Sequence, residues 1–550
     1  MIDALQIELT KLEQLIQNPD FAQDTLEVLE DYKLARLKLA TPSGMDDDRL
    51  LQRLSFAAGL LEYLGVSLLD NREGNQVDQG QIEETFRTAA ELFEYTYTVS
   101  KQSNRLTRQG LDRALHAALC YTLGGTAPNS QFIAAKIGEQ ELREVRIASP
   151  YDLYAEIDRL SILFLARRIP IVSQRARDLL GLIENIERLA VKKLDSDEWG
   201  AVDVAYLAGY LHILQALNDA SEYLLEGTEP KVVSVSDELA SAERLFFEIH
   251  AAEEYRSVRL LRLAINRILE ASIWRRLTAF KRIPKQLEYL ERLARRPLIE
   301  LWKSQIDALD AGVLDLAKNR IAISMPTSSG KTLVAEMAIV QMLTSGQPCV
   351  YVVPTRALTT EVRDTLQEDI GPLGYRIVSV VGTVEWHEIE SEIIREADVL
   401  VVTPEKLDLL IRRKDPEVMQ AGLVIFDEGH NIEDEERGLR LELAVINVKQ
   451  ALPQAKILLL SAVLPNAQQI ANWLANGVGT AITVDWRPTR LKPGYFTWDD
   501  MIGEVRYHDT TKVQVFQKRI KTDPRFSTLR KTTAQLAKQY ANLGGVLVLT

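Results

Sequence analysis

The sequence has few cysteines, no long apolar run and no excess of positive charge. Cys120 and Cys349 are far apart and lie in apolar surroundings, so we expect two buried, reduced thiols and no disulfide. No apolar run approaches the roughly 20 residues that cross a bilayer, and no transmembrane helix is expected. The acidic, amphipathic start lacks the basic and apolar parts of a secretory signal. These absences predict a cytoplasmic protein.

The sequence also lacks a Cys/His constellation that could form a metal or nuclease centre, so any cutting of nucleic acid would need a partner. The net charge is −13, which at first argues against binding nucleic acid. However, the first hundred residues contain 19 acidic and 8 basic side chains, and the remainder is close to neutral. An acidic first part can coexist with a basic groove elsewhere, so the net charge excludes little.

Residues 1 to about 280 have the three- and four-residue spacing of Leu, Ala and Ile that is typical of amphipathic helices, as at 50–61 and 179–186. Gly and Pro are mostly confined to short gaps such as 124–128. The pattern predicts a large all-α region, built as a solenoid or an irregular bundle, that could dock a partner. Between 255 and 296 the composition is basic, which indicates either a solvated surface or a collar that follows phosphates.

From about residue 297, short β-branched runs alternate with helical segments. Apolar runs without polar alternation are typical of strands buried on both faces of a parallel sheet. The repetition predicts a doubly wound α/β domain, whose ligands bind outside the carboxyl ends of the strands. The predicted strands are 321–325, 349–353, 377–381, 399–402, 423–426 and 457–460.

A small-residue loop follows the first predicted strand and leads into a helical segment. This setting is typical of a P-loop, in which backbone N–H groups face phosphates, Lys331 contacts the β/γ oxygens and Thr332 holds Mg²⁺. The Gly-Lys-Thr tripeptide alone is weak evidence, and Met325 replaces the usual first glycine. The predicted ATP-binding residues of the loop are Pro326, Thr327, Ser328, Ser329, Gly330, Lys331 and Thr332.

Two adjacent carboxylates follow the predicted strand at 423–426. Asp427 can hold Mg²⁺, and Glu428 can orient or deprotonate the attacking water. Alone, such a pair is more often a solvated turn. Its place in the same predicted sheet as the P-loop favours catalysis, and the candidate catalytic residues are Lys331, Asp427, Glu428 and His430.

The order and spacing of these motifs resemble a superfamily 2 DExH-box helicase, nearest to the Ski-like branch of antiviral and DNA-repair helicases. The resemblance covers about 300–492 and leaves the first 280 residues outside. It implies a RecA-like motor domain with ATP and Mg²⁺ as cofactors, and an adenine-reading role for Gln305. It also implies coupling through Ser461 and Ala462, although Val463 replaces the usual threonine, and nucleic-acid backbone contacts by Pro354, Thr355, Arg356, Gly382, Thr383, Thr403 and Pro404.

The implied domains are an all-α region at 1–280, a first RecA-like ATPase domain at 281–492, and the start of a second RecA-like domain at 493–550. The segment 544–550 resembles the first motif strand of that second domain. We therefore expect the chain to be part of a longer protein, whose further residues would supply arginines to the γ-phosphate.

Together these features predict a helicase or translocase that hydrolyses ATP to move on single-stranded or partly duplex nucleic acid, with DNA slightly favoured over RNA. The alternative is an ATP-switched clamp or scaffold that recruits a partner without strand separation. A small-molecule kinase would leave the backbone-contacting motifs unexplained. By analogy, the fused helical region favours a bacterial antiphage defence helicase, with a nuclease or other effector docked on the helices.

Overall fold

The computed structural model describes residues 48–70, 78–100, 108–138, 149–196, 198–228, 230–296, 298–380, 392, 394–433, 438–488, 494–499, 502–508 and 515–521. The chain divides into two compact units, one within residues 1–144 and 489–550, and the other within 145–488. Among the described residues, no helix is both long and apolar enough to cross a membrane.

The first unit contains a series of helices in which each packs against the next. Their core is made of small and aromatic side chains, including Phe86, Ala117 and Cys120, all fully buried. The turn at 124–126 separates two of the helices, as the glycines there predict. The helices are α1 (Asp48–Asp70), α2 (Gln79–Ser100), α3 (Arg108–Leu123) and α4 (Ala127–Gly138).

The second unit begins with helices that continue up to the sheet. The predicted all-α region is therefore confirmed where the structure describes it. The helices are α5 (Pro150–Leu165), α6 (Ile169–Leu180), α7 (Ile183–Asp195), α8 (Ala201–Glu226), α9 (Pro230–Glu248), α10 (Ala252–Glu270), α11 (Ile273–Arg276), a 3-10 helix (Thr278–Arg282), α12 (Pro284–Arg295) and α13 (Lys303–Asp310).

The apolar spacing at 179–186 does not mark one helix. Gly181 ends α6, and α7 begins at Ile183. A glycine is a frequent end point because it gains less than other residues from remaining helical. One helix therefore ends and the next begins within a single uninterrupted apolar pattern.

Arginines of the basic stretch at 255–296 form ion pairs with carboxylates of the same unit. Arg262 Nε lies 2.8 Å from Glu243 Oε2, and Arg296 Nη2 lies 2.9 Å from Glu368 Oε1. The first pair joins two helices, and the second joins the helical region to the α/β part of the unit. At least part of the basic stretch therefore serves intramolecular pairing.

A seven-stranded parallel sheet follows, in the order β3-β4-β2-β5-β6-β1-β7. All six predicted strands are present with ends within two residues of the prediction, so the predicted α/β class is confirmed. The edge strand β7 was not predicted. The strands are β1 (Arg320–Ser324), β2 (Cys349–Val352), β3 (Ile377–Ser379), β4 (Val399–Val402), β5 (Leu423–Phe426), β6 (Lys456–Ser461) and β7 (Thr480–Thr483).

Helices cover the sheet and complete its core. Val424, Leu459 and their neighbours on the strands pack with Leu407, Val445 and Leu474 from three of these helices in one apolar cluster. The first of the helices, which follows the P-loop, contacts β2 and β5 and is itself covered by α12 and α13. The helices are α14 (Lys331–Thr344), α15 (Arg356–Asp369), α16 (Pro404–Arg412), α17 (Pro416–Met419), α18 (Gly438–Ala451) and α19 (Ala467–Ala475).

Three further strands form a separate antiparallel sheet that the sequence did not predict. They are β8 (Gly494–Asp499), β9 (Ile502–His508) and β10 (Val515–Lys521), in the order β10-β9-β8. They belong to the first unit. The segment at 544–550 lies outside the described residues. The two cysteines are both free and buried, as expected.

Candidate functional site

The strand order brings the predicted motifs to one edge of the sheet. The chain leaves β4 at Thr403, β2 at Val353, β5 at Asp427, β6 at Ala462 and β1 at Met325. These five strands are consecutive neighbours and all run in parallel. Their carboxyl ends therefore form one row, with the proposed nucleic-acid residues at β4 and β2 and the P-loop at β1.

The P-loop joins β1 to α14 in a compact, internally bonded turn. Ser329 is fully buried, and its Oγ donates a hydrogen bond to the Pro326 carbonyl at 2.6 Å. Ser328 and Gly330 have left-handed φ values of 62° and 87°. Gly330 caps the N-terminus of α14, whose first residue is Lys331. The local fold thus places the N-terminus of α14 directly after a tight, internally bonded loop, an arrangement that suits phosphate.

Gln305 lies directly against the P-loop. Its Oε1 accepts a hydrogen bond from Trp302 N at 2.8 Å, and its Nε2 donates to the Gly330 carbonyl at 3.3 Å. A Cβ atom at Gly330 would lie 2.1 Å from Gln305 Nε2, so this close approach requires glycine. Both ends of the Gln305 amide are bonded to backbone, and the side chain links α13 to the loop.

Lys331 carries the unpaired charge of the site. Within the part of the chain that the structure describes, its Nζ is buried and has no hydrogen-bond partner. A buried ammonium without a partner is costly unless an anion satisfies it. The Lys331 charge also acts on Asp427, where it opposes a rise in pKa. The arrangement fits a phosphate group, which would supply the missing acceptors.

Asp427 is held at the end of β5 by the neighbouring strand. Its Oδ2 accepts a hydrogen bond from Tyr351 Oη at 2.9 Å, and its Oδ1 accepts one from Glu428 N at 2.8 Å. Burial raises the pKa of Asp427 above its usual range, while these hydrogen bonds and the Lys331 charge oppose the rise. The two hydrogen bonds therefore fix the orientation of the carboxylate, and the charge of Lys331 acts on it.

Glu428 adopts an unusual backbone conformation for its residue type. Its φ is 54°, a left-handed value that costs about 1 kcal/mol or more outside glycine. Asn431 Nδ2 donates to the Glu428 carbonyl at 2.8 Å, and His430 Nδ1 lies 3.3 Å from Glu428 Oε2. The exposed His430 therefore lies beside the Glu428 carboxylate.

The residues after β2 and β4 begin two helices at the same edge. Thr355 Oγ1 accepts a hydrogen bond from Leu358 N at 3.4 Å and caps α15, and Arg356 is exposed. Thr403 precedes α16, whose first residue, Pro404, is buried. Both helix N-termini thus lie on the row of strand ends. Gly382 and Thr383 lie outside the described residues.

Ser461 links the end of β6 to the P-loop. Its carbonyl accepts a hydrogen bond from Met325 N at 2.9 Å, and its Oγ donates to the Val463 carbonyl at 3.0 Å. Ser324 Oγ accepts from Leu464 N at 3.0 Å. Two hydrogen bonds between chain segments therefore connect the Ser-Ala-Val segment with the start of the loop that leads to Lys331.

Residues 303–470 match the family described as DEAD/DEAH box helicase. The chain carries a DEAD/DEAH box helicase domain. Among its relatives, Hachiman protein HamB of Bacillus cereus is 28% identical over 384 residues, which are 66% of this chain and 32% of that protein. The ATP-dependent DNA helicase Hel308 of Methanocella arvoryzae is 35% identical over 201 residues, which are 36% of this chain and 26% of that protein. The expected resemblance to superfamily 2 helicases is confirmed.

A solved structure of DUF1998 helicase MrfA bound to DNA and AMPPNP covers 46% of this chain and 33% of its own, with 16% identity and a TM-score of 0.34. The chain spans about a third or less of the length of the curated relatives it matches. The HamB match, at 66% of the chain, is too long to lie only in residues 281–550. It therefore includes part of the helical region, which corrects the expectation that the first 280 residues lie outside the resemblance.

Several residues at the helicase domain were not found from the sequence. Tyr351 lies within an apolar strand, where an aromatic residue predicts only core packing. Asn431 follows the predicted catalytic motif and has no distinctive spacing. A polar side chain directly after a motif was the only available signal, and it is a weak one.

Proposed function

We propose that this chain contains the ATP-binding half of a motor that hydrolyses ATP to move along or unwind nucleic acid. The observation that carries the proposal is the row of five strand ends, which holds the Asp427 carboxylate and the P-loop with its buried Lys331 Nζ, an atom without a hydrogen-bond partner among the described residues. The helicase family match over 303–470 supports the same assignment.

At the ATP end of the row, Lys331 and the backbone of residues 326–330 are proposed to bind the phosphates. Bound Mg²⁺ would neutralise charge on the β and γ oxygens. Thr332 and Asp427 are the proposed metal contacts. Among the described residues there is no cluster of three or more metal-ligating side chains, and Mg²⁺ commonly keeps water and substrate phosphate oxygens as ligands.

Glu428 is proposed to take a proton from the attacking water, and His430 beside it to hold the carboxylate in place. Gln305 is proposed to stand at the adenine side, where it fixes the loop through Gly330. Ser461 and Ala462 are proposed to transmit the state of the P-loop toward the nucleic acid, because Ser461 is bonded to Met325.

At the other end of the row, Thr355, Arg356, Thr403 and Pro404 are proposed to contact the nucleic-acid backbone, together with Gly382 and Thr383. Hydroxyl groups, an exposed arginine and two helix N-termini suit phosphates and carry no base readout. DNA is the proposed substrate, since the Hel308 relatives are named as DNA helicases.

A role in antiphage defence, with a nuclease or other effector on the helical region, is part of the same proposal. The match to Hachiman protein HamB supports it, because that match includes part of the helical region as well as the motor.

The test uses the full-length protein, with ATP turnover and strand displacement measured on single-stranded and partly duplex DNA and RNA. Lys331→Ala and Glu428→Ala should abolish turnover. Lys318→Ala is the matched control, because that lysine bonds the Ala311 carbonyl before the start of β1. Turnover that survives either site variant would overturn the assignment. Stimulated hydrolysis without displacement would instead indicate the ATP-switched clamp.

A further inference from the structure

We infer that Arg167 and Glu300 are a positioning pair through which the helical region sets the affinity of the nucleotide site. The inference rests on the proposed function, since the site it concerns is the proposed ATP site. Arg167 lies between α5 and α6. Glu300 lies in the segment 298–302, which joins α12 to α13 and leads into Gln305.

The pair has the geometry of a strong, buried ion pair. Arg167 Nε donates to Glu300 Oε1 at 2.9 Å, and Arg167 Nη2 donates to Glu300 Oε2 at 2.8 Å. The third nitrogen, Nη1, donates to the Leu165 carbonyl at 2.7 Å. Arg167 is 3% exposed and Glu300 is 9% exposed. A two-point contact of this kind fixes orientation as well as distance.

The backbone at Arg167 adopts a conformation that is uncommon for arginine. Arg167 has a left-handed φ of 61° immediately after α5. Glycine or asparagine is the usual residue in this conformation at a helix end, because other side chains are strained there. This position nevertheless carries an arginine, whose side chain reaches Glu300.

The segment around Glu300 is also bonded to the helical region through its backbone. Ile273 N donates to the Ile299 carbonyl at 3.1 Å, and Leu301 N donates to the Ala271 carbonyl at 2.8 Å. Ser272 and Glu300 form an antiparallel bridge. Side chain and backbone together therefore fix the position of 299–301.

From this fixed segment, a short series of hydrogen bonds leads to the P-loop. Trp302 N bonds Gln305 Oε1, and Gln305 Nε2 bonds the Gly330 carbonyl. Ser304 Oγ donates to the Ser329 carbonyl at 2.7 Å. These bonds connect the segment that contains Glu300 with the backbone of the P-loop. A shift at Glu300 is therefore expected to displace the loop.

The test compares Glu300→Gln and Arg167→Met with a matched pair in the full-length protein. Glu300→Gln keeps the shape of the side chain and removes its negative charge. The control variants are Glu243→Gln and Arg262→Met, which break an ion pair with the same nitrogen-to-oxygen distance of 2.8 Å between α9 and α10. ATP dissociation constants are measured directly, and KM and kcat are measured with saturating nucleic acid.

We expect both Arg167→Met and Glu300→Gln to raise the ATP dissociation constant and KM about tenfold, or about 1.4 kcal/mol, because the loop backbone that binds the phosphates would be displaced. The value of kcat should change less than about twofold, since Glu428 and Asp427 are untouched. Hydrogen exchange of the amides at 301–306 should also become faster than in the control variants.

An unchanged ATP dissociation constant in Glu300→Gln, with the same loss of thermal stability as Glu243→Gln, would overturn the inference. If Arg167→Met does not fold, the double variant Arg167→Met/Glu300→Leu replaces both charges with apolar groups and keeps the comparison. The proposed function fails if the unmodified protein shows no nucleic-acid-stimulated ATP turnover. The present inference can still be tested in that case, because the ATP dissociation constant is measured without turnover.

Discussion

The hydroxyl of Tyr351 lies 2.9 Å from Oδ2 of Asp427 and donates a hydrogen bond to it. Tyr351 is on β2 and Asp427 follows β5, so the bond crosses between two neighbouring strands of the sheet. Burial raises the pKa of Tyr351 well above its ordinary value, and the Asp427 charge adds to this rise, so the phenol remains a donor. The proposed magnesium ligand therefore depends on a residue outside its own motif.

Removing the Tyr351 hydroxyl should lower ATP turnover without abolishing it. We expect Tyr351→Phe to lower kcat/KM for ATP about tenfold at neutral pH, since a hydrogen bond to a charged group contributes about 1.5–3 kcal/mol. The acid limb of the pH–rate profile should move to higher pH, because the lost hydrogen bond lowers the pKa of Asp427 in the native protein. The measurement is ATP turnover against pH and Mg²⁺ concentration.

Tyr375→Phe is the control for that variant, because its ring contacts Lys285 and the ring remains. Equal turnover by Tyr351→Phe and the unmodified protein across pH 5–9 would show that the hydrogen bond does not position Asp427.

Gly330→Ala should reduce ATP affinity about tenfold or more. The new Cβ would meet Gln305 Nε2 at 2.1 Å, and the φ of 87° is strained for alanine. Gly346→Ala is the matched control, since Gly346 has a φ of 80° but no atom within 4 Å of the added Cβ. It should lower stability by about 1 kcal/mol and leave the ATP dissociation constant unchanged. Similar dissociation constants for the two variants would contradict the close approach of Gln305.

Stability of the second unit should depend on pH through Glu336. Burial raises the pKa of Glu336 to about 7, although the Tyr289 hydroxyl and Arg296 oppose the rise. The folded state therefore prefers the protonated carboxyl. The stability associated with it is present at low pH and is lost as pH rises through about 7.

Relative to Glu336→Gln, we expect the unmodified protein to lose about 2 kcal/mol of unfolding free energy between pH 5.5 and pH 8. Urea unfolding at several pH values measures this difference. Glu361→Gln, an exposed substitution on α15, should follow the unmodified protein. Parallel pH profiles for Glu336→Gln and the unmodified protein would refute the prediction.

Arg356→Ala should weaken nucleic-acid binding and leave unchanged the ATP turnover that is measured without nucleic acid. Arg356 is exposed at the start of α15, at the row of strand ends. Removing one phosphate contact should lower affinity by a similar factor for all sequences and reduce the salt slope by about 1. Arg363→Ala, on the same helix but beside Asp364, is the control. Equal salt slopes for Arg356→Ala and Arg363→Ala would show that Arg356 does not contact a nucleic-acid phosphate.

The strands at the centre of the sheet could be predicted from the sequence because both of their faces are buried, as at Val399–Val402 and Leu423–Phe426. The edge strand Thr480–Thr483 is only partly buried, and its mixed side chains give no such signal. The antiparallel strands of the first unit include several charged residues and two glycines, which favour a loop as readily as a strand.

Most motif residues of the site could be predicted because they follow a strand at a regular place, whereas Gln305 was predicted only through the family resemblance. Their supporting residues could not. Tyr351 and Asp427 are 76 residues apart, and Arg167 and Glu300 are 133 residues apart. No local pattern links such pairs, since only the packing of the folded chain brings them together. Whether the motif residues act as proposed stays a prediction for the variants above.

Helix α12 determines which fragments of the second unit can be produced as isolated proteins. Tyr289 is fully buried and bonds Glu336 at 3.2 Å, and Gln286 Nε2 donates to Thr344 Oγ1 at 2.6 Å. A fragment that starts at residue 298 would leave the outer face of α14 open to water and deprive Glu336 of its phenol. Such a fragment should aggregate. Fragments that keep Pro284–Arg295 retain that cover, and those that begin before Arg167 also retain its ion pair with Glu300.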